Sequence, residues 1–306
     1  MYSYKKLEDK LKSTGKTKSD LIKELGISSR TIAKISKGEK IANHVLLKIA
    51  GYLGCGVSDL YLEICDNPIL QTLKEEKEFK ISGGLYHELQ VRMTYNSNHM
   101  EGSTLTEDQT RLIFETKTVA AKDGVKVDDI IETANHFRAI DYAIDSALLP
   151  LSEDIIKRFH LLLKQGTSQA SLGWFEVGDY KKRENMVGGR STCPVSEVKE
   201  AMRSLLETYS KIKNPTFEDI VSFHADFEYI HPFQDGNGRV GRLIALKECL
   251  RFGIIPFFIE DSKRAFYYKG LSKWKQEKGW LIDTCLDGQD TFRRLLKELG
   301  LSEKNQ

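Results

Sequence analysis

Long hydrophobic runs are missing from this chain. Its most apolar stretches, such as Ile254-Ile255-Pro256-Phe257-Phe258-Ile259, fall far short of the roughly 20 residues that span a bilayer. The first residues, Met1-Tyr2-Ser3-Tyr4-Lys5-Lys6, lead into Lys- and Glu-rich sequence rather than an apolar stretch with a small-residue cleavage site. Neither a membrane span nor a secretory leader is expected, and the expected location is the cytoplasm. Cysteine is scarce: Cys55, Cys65, Cys193, Cys249 and Cys285 are odd in number and lack any C-x-x-C spacing. This argues for reduced thiols and against a disulfide frame or a zinc site. An excess of one charge is also missing, since 46 Lys plus Arg face 44 Asp plus Glu for a net charge of +2. That excludes a polycationic coat and an acidic tail protein, so any nucleic-acid surface must be local. What remains is a 306-residue chain, 40% hydrophobic and 29% charged. Its length and composition suit about two ordinary domains.

The basic charge is concentrated at the front, where residues 1–66 hold 12 Lys plus Arg against 8 Asp plus Glu. Apolar residues there recur at helical spacing in short blocks: Leu7 and Leu11; Leu21, Ile22 and Leu25; Ile32 and Ile35; Val45, Leu46, Ile49 and Leu53. The pattern predicts four or five short helices. Between the second and third blocks, Gly26 suits a left-handed turn and Ser28 suits a helix N-cap, the punctuation of a helix-turn-helix. The segment from Gly15 to Leu62 resembles the Cro/repressor-like helix-turn-helix family, with Ser28-Ser29-Arg30-Thr31-Ile32-Ala33-Lys34-Ile35 as its recognition helix. The resemblance implies binding to double-stranded DNA, with Ser29, Arg30 and Lys34 facing the major groove and Lys18, Lys37 and Lys40 near phosphates. A homodimer is the usual companion of such a domain. Residues 67–82 contain an X-Pro step and a charge run and are expected to be a linker.

From Gly83 onward helical periodicity dominates. The span from Trp174 to Pro194, with Gly178, Gly188 and Gly189, predicts a short hairpin projecting from a helical body. The expected fold is therefore all-α: a small helix-turn-helix bundle over residues 1–66, then a helical domain over 83–306 with one β-hairpin.

The strongest signal is His231-Pro232-Phe233-Gln234-Asp235-Gly236-Asn237-Gly238-Arg239-Val240-Gly241-Arg242, between a helix over about 216–229 and another starting near Asn237. The Gly-Asn-Gly turn lets backbone N–H groups converge at a helix N-terminus, a natural phosphate cradle. Arg239 and Arg242, three apart, neutralise further phosphate oxygens, and Asp235 is a hard oxygen ligand suited to a Mg²⁺ that bridges phosphates. His231 lies just outside the cradle, where a neutral imidazole takes a proton from an attacking hydroxyl.

These residues match the Fic-family signature His-x-Phe-x-Asp/Glu-Gly-Asn-Gly-Arg-x-x-Arg at all eight constrained positions. The resemblance implies adenylyl transfer: ATP bound with Mg²⁺, its α-phosphate attacked by a Ser, Thr or Tyr hydroxyl of a target protein, and pyrophosphate released. It makes His231 the base, Asp235 the metal ligand, Gly236, Asn237 and Gly238 the phosphate loop, Phe233 a core anchor, and Arg239 and Arg242 the holders of the β- and γ-phosphates. Gly178 through Gly189 resembles the family's flap, which pairs with the target's backbone; Lys181, Asn185, Val187, Gly188 and Gly189 are its candidate residues. Lys263 to Tyr268 resembles the adenine-side segment, with Tyr267 and Tyr268 near the base. Upstream, Ser97-Asn98-His99-Met100-Glu101-Gly102 resembles the family's inhibitory motif. Ser97 and Glu101 lie one helical turn apart ahead of Gly102, so Glu101 can pair with Arg242 and withhold it from the γ-phosphate. In some family members the same glutamate is associated with removal of AMP. The competing reading is a transcription regulator whose Fic fold senses nucleotide without transferring it. A further variant keeps the transfer but exchanges ATP for another nucleotide donor or phosphocholine. His87, His99, His136, His160 and His224 have no metal-ligand companions at fixed spacing and are expected to be structural.

Overall fold

The computed structural model describes residues 2–63, 67–120 and 124–301. Cys65 lies outside them; Cys55, Cys193, Cys249 and Cys285 are free thiols. The chain divides into two compact units, Met1–Asp66 and Asn67–Gln306. Both are helical, with fourteen α-helices and two short two-stranded ladders among the described residues.

In the first unit the helices are α1 (Lys5–Ser13), α2 (Lys18–Leu25), α3 (Ser29–Ser36) and α4 (Asn43–Leu53), tied at the ends by antiparallel strands β1 (Tyr2–Ser3) and β2 (Leu62–Glu63). Thr17 and Asp20 form a reciprocal capping box at the start of α2, and Gly26 ends that helix at φ +65°. The Ser28 hydroxyl then accepts from the Thr31 N–H to start α3. Leu7, Leu11, Leu21, Ile35, Ile49 and Leu60 close the core.

The second unit holds α5 (Pro68–Phe79), α6 (Leu85–Met100), α7 (Glu107–Thr116), α8 (Val127–Asp145), α9 (Glu153–Lys164), the hairpin β3 (Met186–Val187) and β4 (Arg190–Ser191), α10 (Val198–Ser210), α11 (Phe217–Ile230), α12 (Asn237–Phe252), α13 (Arg264–Lys273) and α14 (Gly279–Glu298). At its centre is α12, nearly all of whose residues are buried and which packs on α6, α8, α9 and α11. Even its Lys247 is enclosed, donating to the Ala147 and Leu149 carbonyls and to Glu248.

The expected linker over 67–82 is corrected by α5. Asn67 accepts from the N–H groups of Ile69 and Leu70, and Pro68 sits at the first helical position, where its missing N–H costs nothing. Ile69, Leu70 and Leu73 are buried, while the charge run finds partners: Lys77 pairs with Asp145, and Glu76 accepts from the Tyr86 N–H. The expected hairpin is also shorter than the Trp174–Pro194 span, because residues 174–185 are pinned as turns. The Gly178 N–H donates to His160 Nδ1 and the Lys181 N–H to the Pro232 carbonyl. No helix among the described residues is long and apolar enough to cross a membrane.

Candidate active site

The segment between α11 and α12 is shaped before any ligand arrives. At the end of α11, His231 takes a left-handed conformation (φ +54°) while its N–H still donates to the Phe227 carbonyl. A non-glycine residue in this region costs energy and is usually retained where it serves a site. Phe233 is fully buried and stacks on His160 with ring centroids 4.1 Å apart and planes within 5°. Asn237 locks the turn from inside, its Oδ1 accepting from the Phe233 N–H and its Nδ2 donating to the Phe233 carbonyl, both at 2.8 Å. Its side chain is thus a brace of the turn. Gly236, at φ +80°, caps the N-terminus of α12.

Over this helix start lies the Ser97–Glu101 segment. Arg242 donates from Nε to Ser97 Oγ (2.9 Å) and from Nη2 to both the Ser97 carbonyl (3.0 Å) and Glu101 Oε1 (2.8 Å). Its Nη1 has no hydrogen-bond partner and lies 3.0 Å from where a Cβ on Gly238 would sit. That Cβ would also collide with Glu101 Oε1, so the carboxylate rests against the glycine turn. Burial pushes the Glu101 carboxyl up, but Arg242 and Arg239 outweigh it and hold it below the ordinary range. Gly102 follows at φ +95°.

Arg239 is engaged elsewhere. Nearly buried, it pairs through Nη1 with Glu132 Oε2 (2.5 Å) and through Nη2 with Asp235 Oδ2 (3.5 Å). Lys164, also buried, bridges Glu132 Oε1 (2.5 Å) and Asp235 Oδ2 (2.7 Å). Burial would raise the Asp235 pKa, but Arg239 and Lys164 hold it well below the ordinary carboxylate range, so the group stays ionised. Among the described residues no cluster of three or more His, Cys, Asp or Glu forms a ready metal cage. A single ionised carboxylate does fit Mg²⁺, which takes most of its ligands from water and phosphates. Sequence reasoning missed Glu132, Lys164 and Glu228, because they stand on α8, α9 and α11 outside the motif. Glu228 alone left a signal, its helical spacing from His231.

A cavity of about 580 Å³ opens beside the turn, lined by Glu101, Glu228, His231, Gly238 and Arg242 together with Tyr267, Tyr268, Leu271 and Ser272. Burial, then Lys181, depress the His231 pKa to about 4, so its imidazole is neutral at physiological pH. Tyr267 is buried, its hydroxyl 2.7 Å from His224 Nε2, whereas the partly exposed Tyr268 donates to the Met100 carbonyl at 3.1 Å. On the flap, Val187 is exposed and Gly188 and Gly189 make the turn at positive φ. Lys181 and Asn185 do not face outward. Lys181 Nζ donates to Asn185 Oδ1 (2.8 Å) and Thr192 Oγ1 (2.5 Å), and Asn185 Nδ2 donates to the Phe233 carbonyl (3.2 Å). Both brace the base of the hairpin against the turn between α11 and α12.

In the first unit Ser29 and Arg30 are exposed at the start of α3 and Lys34 is half-buried. Arg30, Lys34, Lys40 and His44 line a shallow recess of about 260 Å³. Lys37 and Lys40 are exposed, but Lys18 is held by Glu8 at 2.6 Å and Ser36 at 3.2 Å, so it is not a free phosphate contact.

Residues 150–249 match the profile of the Fic/DOC family, and residues 6–64 that of the Cro/C1-type HTH DNA-binding domain. Curated relatives include the protein adenylyltransferase Fic of Nematostella vectensis, 29% identical over 215 residues, which cover 65% of this chain and 48% of that protein. The protein adenylyltransferase Fic of Drosophila melanogaster is 30% identical over 178 residues, 57% of this chain and 35% of that one. The chain thus spans less than half the length of these relatives. Among solved structures, a Fic-domain-containing signaling protein from Bacteroides thetaiotaomicron aligns with TM-score 0.56 and 23% identity, over 78% of this chain and 96% of that one. Fic-1 from C. elegans (residues 134–508) aligns with TM-score 0.59 and 20% identity, over 76% and 72%. These likenesses agree on the fold of the second unit. The chain thus carries a Fic/DOC-type domain over residues 150–249 and a Cro/C1-type helix-turn-helix domain over residues 6–64.

Proposed function

We propose that the second unit is a protein adenylyltransferase held in an inactive ground state, and that residues 1–66 add a DNA-binding module. When Glu101 withdraws, AMP passes from ATP to a hydroxyl side chain of a protein target, and of this protein itself. The observation that carries the reading is the commitment of Arg242 to Ser97 and Glu101 against Gly238, at a helix N-terminus whose N–H groups suit an anion. A buried arginine is an expensive group to place beside a glycine turn unless an anion sits there, and Glu101 supplies one from within the chain.

In the released state the triphosphate takes the N–H groups at the start of α12 and the freed Arg242. The target's hydroxyl oxygen forms a bond to the α-phosphorus, the bond from that phosphorus to the β-phosphate bridging oxygen breaks, and pyrophosphate leaves. The hydroxyl proton passes to neutral His231. Asp235 would hold Mg²⁺, which would supply positive charge against the triphosphate oxygens. Glu132 and Lys164 keep Asp235 and Arg239 in place. The strand edge at Met186–Val187 offers backbone groups that register a target segment. With AMP already on the target, Glu101 would orient water for its removal.

Incubation of wild type, Glu101→Gly and Glu101→Gly/His231→Ala with ATP and Mg²⁺, read by intact mass, tests this. One AMP mass should appear on Glu101→Gly and on neither of the others. Bound ATP with no adduct on any variant, and no modified protein in added extract, would favour the nucleotide-sensing regulator. Running UTP, GTP and CTP beside ATP decides the donor.

A further inference from the structure

His224 and Glu228 lie one turn apart on the same face of α11, and His231 follows three residues later as the left-handed residue that ends the helix. His231 Nδ1 is buried without a hydrogen-bond partner. Glu228 Oε2 lies 4.0 Å from it, and Glu228 Oε1 is likewise buried and unpartnered. The Glu228 side chain, 10% exposed, lines the same cavity as His231. Across from it on α12 is Gly241, where a Cβ would come within 2.6 Å of Glu228 Oε1 and 2.7 Å of His224 Nδ1. The missing side chain at 241 leaves this carboxyl its space.

We propose that Glu228 is a positioning residue for His231, its carboxylate accepting the Nδ1 proton so that Nε2 is left free to receive the proton of the target hydroxyl. The inference rests on the adenylyltransferase reading. A small rotation of the carboxyl closes the gap, since hydrogen bonds to a catalytic base are commonly long in the free enzyme and tighten in the working complex. Once His231 takes the hydroxyl proton, the nearby carboxylate stabilises the imidazolium. The groups facing Glu228 are His224 on its own helix, His231 at that helix's end, Arg242 from α12, Glu101 after α6 and Tyr267 from α13; Lys181, Glu101, Asp235 and the Glu228 backbone carbonyl face His231, so the Glu228 carboxylate competes with its own carbonyl for the ring N–H. Burial pushes the Glu228 carboxyl up to about 8, with Arg242 opposing and Glu101 adding. A rate that climbs as pH approaches that value is the expected signature.

The test uses the full chain in the Glu101→Gly background, with Glu228→Ala and the isosteric Glu228→Gln. Turnover should fall about 100-fold in Ala and about tenfold in Gln, the range expected for loss of an orienting acceptor. Affinity for a non-hydrolysable ATP analogue should change less than about threefold, and the alkaline-rising limb should vanish in both. In ¹⁵N-histidine spectra, with the His231 signal assigned by His231→Ala, the Nδ1–H tautomer should lose population in both variants. Unchanged turnover with an unchanged tautomer in Glu228→Ala overturns the proposal, as does a loss of turnover matched by the loss of nucleotide affinity. If Glu101→Gly with Glu228 intact transfers no AMP, the adenylyltransferase reading fails, and the tautomer measurement still decides whether Glu228 sets the state of His231.

Discussion

Glu101 and Arg242, 141 positions apart in sequence, meet at 2.8 Å between Glu101 Oε1 and Arg242 Nη2. Arg242 is buried while the Glu101 side chain is partly exposed, so desolvation of the one and solvent screening at the other leave the pair little net stability. Removing one partner is costly, because the other charge is left uncompensated. Glu101→Gly should therefore lower the melting temperature of the free protein by several degrees. If the stranded guanidinium takes the γ-phosphate, as proposed, ATP should restore more stability to Glu101→Gly than to wild type. Thermal melts with and without ATP measure this coupling directly. Equal ATP-induced shifts in the two proteins would show that Glu101 and the triphosphate do not compete.

Lys164 makes a second prediction. Its ammonium lies between Glu132 and Asp235 and so occupies the carboxylate proposed to hold Mg²⁺. Lys164→Ala removes a buried cation from between two acids and should destabilise the apo protein by about 3–5 kcal/mol, as for other broken buried pairs. The same change leaves Asp235 more available, so Mg²⁺ should recover more of the lost stability than it adds to wild type. Urea midpoints across a Mg²⁺ titration report both effects, and a Mg²⁺ response no greater than wild type's would remove Asp235 from the metal's path.

The residues legible in advance were those whose local backbone demands a residue type. Gly26 and Ser28 announce the break between α2 and α3 because a left-handed turn and an N-cap each favour a short list of side chains. Gly236 to Gly238 do the same for α12. The α5 helix was hidden because Asn67-Pro68 reads equally as a chain break and as a cap followed by a first-turn proline. Only its buried face of Ile69, Leu70 and Leu73 decides. Glu132 and Lys164 were invisible for a different reason. They meet Arg239 and Asp235 through the packing of α8, α9 and α12, and no spacing along the chain records that approach. The inward turn of Lys181 escaped for the same cause, its partner Thr192 lying across the hairpin.

The first unit predicts its own experiment. Arg30 is exposed at the start of α3, and Lys40 stands exposed beside the same recess. If Arg30 reads base edges, Arg30→Ala should cost about 1–3 kcal/mol on a selected duplex and relax preference at one position. If Lys40 meets phosphate, Lys40→Ala should weaken binding to all sequences alike and flatten the salt dependence by about one ion. Lys18→Ala should do neither, since that side chain is already paired with Glu8. Fluorescence anisotropy over a range of salt concentrations separates the three.

Glu228 links the site to stability as well as to rate. Its carboxyl titrates near 8 in the folded chain, raised by burial, against an unfolded value near 4.3. Between those pH values the unfolded chain releases a proton that the folded chain retains, so this group's contribution to stability is full below about pH 4 and is lost as pH rises towards 8. Glutamine keeps the shape of the protonated acid and has no proton to lose. Glu228→Gln should match wild type near pH 4.5 and become progressively more stable than wild type towards pH 8, even as its turnover falls. Urea unfolding at pH 5, 6.5 and 8 reads the difference, and parallel curves for the two proteins would mean that Glu228 is already ionised at neutral pH. A gain in stability joined to a loss in turnover is the pattern expected of a group kept for catalysis at a cost to the fold.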